Sequence, residues 1–203
     1  MRGHRHMKET YDVIYMDPPW SYYGSGTKMG AAAKEYDLMS DQELLELEVP
    51  LSNPGVLFMW ATSPRLDFAF QLLSHWGLHY RGVAFNWVKT KKTDPASPIG
   101  AQGVRPSIVK PTSEFVLAAS NRQYGRPLKL SSESVRQVVM SPKREHSRKP
   151  EEVVERIEQL YPNATKLEMF ARTVRDGWSS HGNELDKFPS LSLQEDPISQ
   201  EDQ

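Results

Sequence analysis

The 203-residue chain predicts an α/β fold: a mostly parallel sheet with helices on both faces. Two observations carry this. The strand candidates are short, continuous apolar runs, as expected where both faces of a strand are covered. Several are separated by segments with helical spacing, the alternation that builds parallel sheets. Residues 11–16 (YDVIYM) form the first such run, stopped by Asp17-Pro18-Pro19. Ser40 and Glu43 have capping-box spacing ahead of Leu44, Leu45 and Leu47, which predicts a short helix. Residues 56–61 (VLFMWA) follow Asn-Pro-Gly and read as a second strand. Ser63-Pro64 opens a helix whose apolar stripe is Leu66, Ala69, Phe70, Leu73 and Trp76, with Gly77 to close it. Residues 83–88 form a third strand, 114–119 a fourth and 135–140 a fifth. Pro150 opens a helix with Glu151 and Glu152 in its first turn and Val153, Val154, Ile157, Leu160 and Tyr161 as its stripe. Residues 167–171 complete the set as a last strand.

The organisation that follows is one domain over residues 11–188. Residues 1–10 precede it as an extension, either native or an expression remnant. Residues 189–203 follow as an acidic, disordered tail. The start of the chain lacks the apolar stretch of a secretory signal. No run is long enough to span a membrane. With no cysteine, disulfides, thiolate zinc sites and a cysteine nucleophile are excluded, and a cytoplasmic setting fits. His75, His79, His146 and His181 lack metal-ligand spacing, so no metal is expected.

The formal net charge of −1 conceals three blocks: −4 over residues 1–80, +10 over 81–150 and −7 over 151–203. A basic centre in a neutral chain either solvates loops or attracts a polyanion. Lys89, Lys91, Lys92, Lys143, Arg144, Arg148 and Lys149 are the candidates for phosphate contact, together with Arg105 and Lys110 in the long polar segment 90–112. A connection of that length is usually functional or mobile.

Asp17-Pro18-Pro19-Trp20 carries the chemistry. It stands at the carboxyl end of the first strand, where open α/β sheets place ligands. Asp17 supplies a carboxylate acceptor, and Pro18 a carbonyl acceptor on a backbone with fixed φ. Trp20 supplies a ring on which a base could stack, worth ~1–3 kcal/mol. Two acceptors aimed at one exocyclic amine favour its pyramidal form, so attack on an electrophilic methyl group needs position more than a strong base. The plainer alternative is that the prolines end a strand and Trp20 packs in the core.

The tetrapeptide resembles the catalytic motif of the MT-A-type N6-adenine methyltransferases. Further segments resemble that family in order: Met39-Ser40-Asp41, Phe58-Met59-Trp60, Asn86-Trp87-Val88-Lys89-Thr90 and Glu114-Phe115-Val116-Leu117. His146-Ser147-Arg148-Lys149-Pro150, residues 166–172, and Gly177-Trp178 with Gly182-Asn183-Glu184 follow. The resemblance implies a Rossmann-like S-adenosylmethionine-dependent methyltransferase fold with the catalytic motif N-terminal to the cofactor-binding end. It implies S-adenosylmethionine as cofactor, held by Asp17, Phe170, Arg172, Asn183 and Glu184, and Asp17, Pro18, Pro19 and Trp20 as catalytic. The implied substrate is nucleic acid, with DNA favoured over RNA because the chain resembles the compact bacterial and phage members. A homodimer or a partner subunit is compatible with the resemblance. Two departures stand out. Ser113 occupies a position that is basic in some members, with Lys110 three residues earlier. The acidic segment that precedes the motif in some members has no counterpart in the sixteen residues before Asp17, and Asp12, within the strand, is a poor replacement. A non-catalytic nucleic-acid-binding subunit and a methyltransferase acting on another amine are the competing classes.

Overall fold

The computed structural model describes residues 9–20, 38–100, 108–144 and 148–182. Seven strands form one sheet: β1 (Tyr11–Met16), β2 (Leu51–Ala61), β3 (His79–Thr90), β4 (Ser113–Ser120), β5 (Val138–Pro142), β6 (Lys166–Met169) and β7 (Ser179–His181). Their spatial order is β5-β3-β4-β2-β1-β6-β7. The helices are α1 (Asp41–Leu45), α2 (Leu66–His75) and α3 (Glu151–Leu160), with a 3₁₀ turn at Ser63–Arg65 leading into α2.

The sheet is mixed. β1 runs parallel to β2 and β6, β6 to β7, and β3 to β5. β4 runs antiparallel to both of its neighbours, β2 and β3. The expectation of a mostly parallel sheet therefore holds for four pairings and fails around β4. Val116, Leu117 and Ala119 of β4 are buried between two layers. A strand covered on both faces has the same continuous apolar run in either direction. β2 and β3 also extend beyond the expected 56–61 and 83–88, and β5 begins three residues later than expected. β7 was not anticipated.

Side chains alternate across the sheet and split the core in two. Ile14, Met16, Leu57, Met59, Leu167 and Met169 face α1 and α2, where Leu44, Phe68, Ala69, Leu72 and Leu73 pack on them. Val13, Tyr15, Val56, Phe58, Trp60, Phe85 and Trp87 face the other way, against Val153, Val154 and Ile157 of α3. The Ser40–Glu43 capping box forms as its spacing predicts: Glu43 N–H donates to Ser40 Oγ, and Glu43 Oε2 accepts from Ser40 N–H. Gly77, at φ 70°, ends the helical region after α2.

Because β4 alone is reversed, one edge of the sheet collects the carboxyl ends of the other six strands and the amino end of β4. Asp17, Lys89, Glu114, Pro142 and Phe170 all stand at or next to that edge. The opposite edge is tied structurally. There Asp12 Oδ2 accepts from Thr165 N–H and Thr165 Oγ1, each at 3.0 Å, so Asp12 joins β1 to the start of β6.

Candidate active site

At the end of β1 the chain turns sharply. Trp20 N–H donates to the Pro18 carbonyl at 2.9 Å, and Met39 N–H donates to the Pro19 carbonyl at 3.2 Å. Trp20 and Met39 also form an isolated parallel bridge. The Pro18 oxygen keeps a second lone pair. Trp20 itself is only 5% exposed. It packs edge-to-face on Phe68, with ring centroids 6.3 Å apart, and the guanidinium of Arg65 lies 5.8 Å from its ring centre. Arg65 is buried and ion-paired to Asp41. The expectation that Trp20 offers a stacking face is thus corrected: among the described residues Phe68 and Arg65 cover its ring, which anchors the turn in the core.

A row of alternating charges runs from Asp17 along the carboxyl edge. Lys149 Nζ lies 3.0 Å from Asp17 Oδ2 and 3.3 Å from Glu114 Oε2. Lys89 Nζ donates to Glu114 Oε1 at 2.5 Å. Two indole rings line the row, with Lys149 Nζ 5.3 Å from the centre of Trp60 and Lys89 Nζ 5.1 Å from that of Trp87. These contacts correct a second expectation. Lys89 and Lys149 point inward onto carboxylates rather than outward as phosphate contacts. Their side chains are only 17% and 15% exposed.

Burial pushes the Glu114 carboxyl up, but the charges of Lys149 and Lys89 outweigh it and hold it down at about 2. Burial pushes the Lys149 ammonium down, yet Asp17 and Glu114 together raise it above the ordinary lysine range. Glu114 therefore stabilises the fold above its ordinary value of 4.5, and that contribution is lost as pH falls from there toward about 2. The shift corresponds to about 3 kcal/mol. Glu114→Gln is expected to flatten the fall in stability between pH 4.5 and pH 2, read as denaturant midpoints at several pH values. The same acid dependence in variant and wild type would refute the assignment.

A cleft opens beside this row. Asp17, Arg148, Lys149, Phe170 and Arg172 line it, with Tyr15, Glu151, Glu168, Thr173 and Arg175. Phe170 follows β6 with φ 61°, a left-handed conformation that a residue bearing Cβ rarely adopts. Arg175 binds Glu168 at 2.7 Å and also Glu151, which takes Arg148 at 3.1 Å and Arg144 at 3.8 Å. Burial raises the Glu168 carboxyl above its ordinary value, only partly offset by Arg175. The Tyr15 hydroxyl, raised chiefly by burial, accepts from Trp60 Nε1 at 2.6 Å and ties the cleft floor to the core.

Among the sequence candidates, Asp17, Phe170, Arg172, Arg148 and Lys149 meet in this one cleft. Lys91, Lys92, Lys110 and Lys143 are exposed, and Arg144 is half-buried. Asn183, Glu184 and Arg105 lie outside the described residues. Sequence reasoning missed Glu151, Glu168 and Arg175 as cleft residues. Glu168 carried a signal, being a carboxylate between Leu167 and Met169 in an apolar strand. Among the described residues no group of His, Asp and Glu is placed to hold a metal ion, and no helix is long and apolar enough to cross a membrane.

Residues 11–184 match the MT-A70 family model. The chain is 30% identical to the type II methyltransferase M.MunI of Mycoplasma sp, over 88% of this chain and 79% of that protein. It is 31% identical to the Arabidopsis thaliana N(6)-adenosine-methyltransferase MT-A70-like protein, over 87% of this chain and 24% of the relative. Against the human N(6)-adenosine-methyltransferase catalytic subunit METTL3, identity is 28%, over 87% of this chain and 28% of the relative. The chain thus spans most of the bacterial relative and about a quarter of the two eukaryotic ones.

Proposed function

The chain belongs to the MT-A70 family, and from that membership we propose that it transfers a methyl group from S-adenosylmethionine to the exocyclic N6 amine of adenine in DNA. The observation that carries this reading is the convergence of Asp17, Lys149, Phe170 and Arg172 on one open cleft at the carboxyl edge of the sheet. The family's fold is Rossmann-like, and here the Asp17–Trp20 turn precedes in sequence the β6 end of the cleft.

The donor set suits the cofactor. Asp17 offers a carboxylate to the ammonium of a methionine moiety, and Arg148 and Arg172 offer cations to its carboxylate. Phe170 offers an apolar wall. Asn183 and Glu184, outside the described residues, are assigned to the ribose hydroxyls by family resemblance. When bound, S-adenosylmethionine supplies an electrophilic methyl group.

The chain's own residues hold the acceptor amine. Asp17 and the Pro18 carbonyl accept its two hydrogens and leave the nitrogen lone pair directed at the methyl group. Lys149 fixes one oxygen of Asp17. The Met39–Pro19 hydrogen bond and the buried Trp20 ring fix the turn that carries both acceptors. No strong base is required: the new C–N bond would form as the methyl–sulfur bond breaks, leaving a neutral thioether, and the amine, made acidic by that bond, would pass its proton by way of the Asp17 carboxylate to water.

DNA is favoured over RNA by coverage: the match takes in 79% of the type II methyltransferase and about a quarter of the adenosine methyltransferases. The exposed Lys91, Lys92, Lys110 and Lys143 lie on segments that leave or enter the same sheet edge as Asp17, which suits a polyanion. The test is transfer of labelled methyl to matched DNA and RNA, single- and double-stranded, over a range of salt. Label is expected in DNA adenine, with apparent affinity falling as salt rises. Label in RNA alone would replace the substrate, and none in either would overturn the reading.

A further inference from the structure

Ile108 and Val109 are the two most exposed large apolar residues among those described, at 91% and 76%. They are adjacent, and both are branched at Cβ and so stiff at χ1. The segment that carries them is tethered close to the site. Thr112 accepts the Lys89 N–H at 3.0 Å, Lys89 bonds Glu114, and Glu114 and Asp17 share Lys149. Ile108 is four residues before Thr112, so it cannot stand more than about 14 Å from that anchor. The charge around the pair is positive. Exposed Lys110 follows Val109 directly. Exposed Lys91 and Lys92 leave the same sheet edge just past Lys89, where Lys91 N–H donates to the Ser97 carbonyl at 3.0 Å.

An apolar tip set among lysines is the chemistry of a side chain that enters a base stack while its neighbours hold phosphates. A target adenine inside a duplex cannot reach an acceptor at the edge of a sheet unless it leaves the helix, and its departure opens a gap between base steps. We propose that Ile108 and Val109 form the wedge that enters duplex DNA as the target adenine is extruded toward Asp17. The proposal rests on the DNA methyltransferase reading above and adds to it a duplex-specific contact.

The experiment compares wild type with the double variant Ile108→Ser/Val109→Ser on unmethylated genomic DNA, native and heat-denatured, with labelled S-adenosylmethionine. Both side chains are exposed, so the variant is expected to melt with the wild type. On native duplex, kcat/KM is expected to fall about tenfold or more, because the unstacking cost returns to the barrier. On denatured DNA, where no stack has to be opened, it should stay within about twofold. Equal losses on the two substrates, or no loss on either, would overturn the wedge while leaving the methyltransferase reading in place. Wild type active on denatured DNA alone would do the same. Wild type silent on both would overturn the reading on which the wedge depends.

Discussion

Asp17→Ala is expected to fold normally and to lose methyl transfer by about 10²–10³-fold, the scale of removing one preorganised polar group from an active site. The side chain is 21% exposed and lies beyond the last residue of β1, so its removal opens no core cavity. Lys149 keeps Glu114 as a partner at 3.3 Å, so no cation is left stranded. The amine loses one of two acceptors, and the penalty falls on orientation rather than on nucleic-acid affinity. A melting scan beside a labelled-methyl assay on DNA checks both halves. Turnover within a few-fold of wild type would refute the role given to Asp17, whatever the substrate proves to be.

Lys149→Met is expected to damage both stability and activity. The ammonium separates Asp17 from Glu114, and its side chain is 15% exposed. Removing it leaves two carboxylates facing each other across the vacated site. Breaking a buried ion pair from one side costs about 3–5 kcal/mol. Residual exposure favours the lower end, equivalent to a drop in Tm of about 6–12 °C for a domain of this size. Lys89 still neutralises Glu114 there, so the uncompensated charge is that of Asp17; adding Glu114→Gln removes the carboxylate facing it and should recover part of that loss, but should recover no activity, because Asp17 still lacks the group that orients it. A melting temperature within about 2 °C of wild type in the single variant, far short of that drop, would show that the pair is not structural.

Much of this architecture is legible in the sequence, and the rest is illegible for definable reasons. β1 has the bounds its apolar run predicts, because the Asp-Pro-Pro that stops it cannot continue a ladder. α1 is announced by Ser40 and Glu43, and the helical stretch before Gly77 by Ser63-Pro64. These are local signals, complete within a few residues. Strand direction is not local, and the reversed β4 shows it: nothing in Glu114–Ser120 encodes which way its neighbours run. β7 is three residues of Ser-Ser-His whose order comes from pairing with β6. Gly182 lies so close to Ala171 that a Cβ there would stand 2.3 Å from its carbonyl oxygen, a fit visible only once both segments are placed.

The site divides along the same line. Asp17 and Phe170 are readable as residues at strand ends, where ligands gather. Lys89 and Lys149 are readable as charged but not as paired, since their partner Glu114 comes from another strand. Composition therefore assigned them to the surface. Trp20 was readable as aromatic, and only the packing of Phe68 and Arg65 around it shows that its ring is an anchor.

The position of β1 governs when this protein can begin to exist. Its two neighbours are β2, nearby in sequence, and β6, whose register pairs Val13 with Lys166. A ribosome adding about 5–20 residues per second needs roughly 8–30 s to carry the chain from β1 to β6. Throughout that interval one side of β1 presents unpaired backbone, and Ile14 and Met16 lack Leu167 and Met169 as cover. The growing polypeptide is therefore vulnerable to mispairing with other nascent chains until β6 emerges, and faster elongation or a holdase on the open edge should raise its soluble yield.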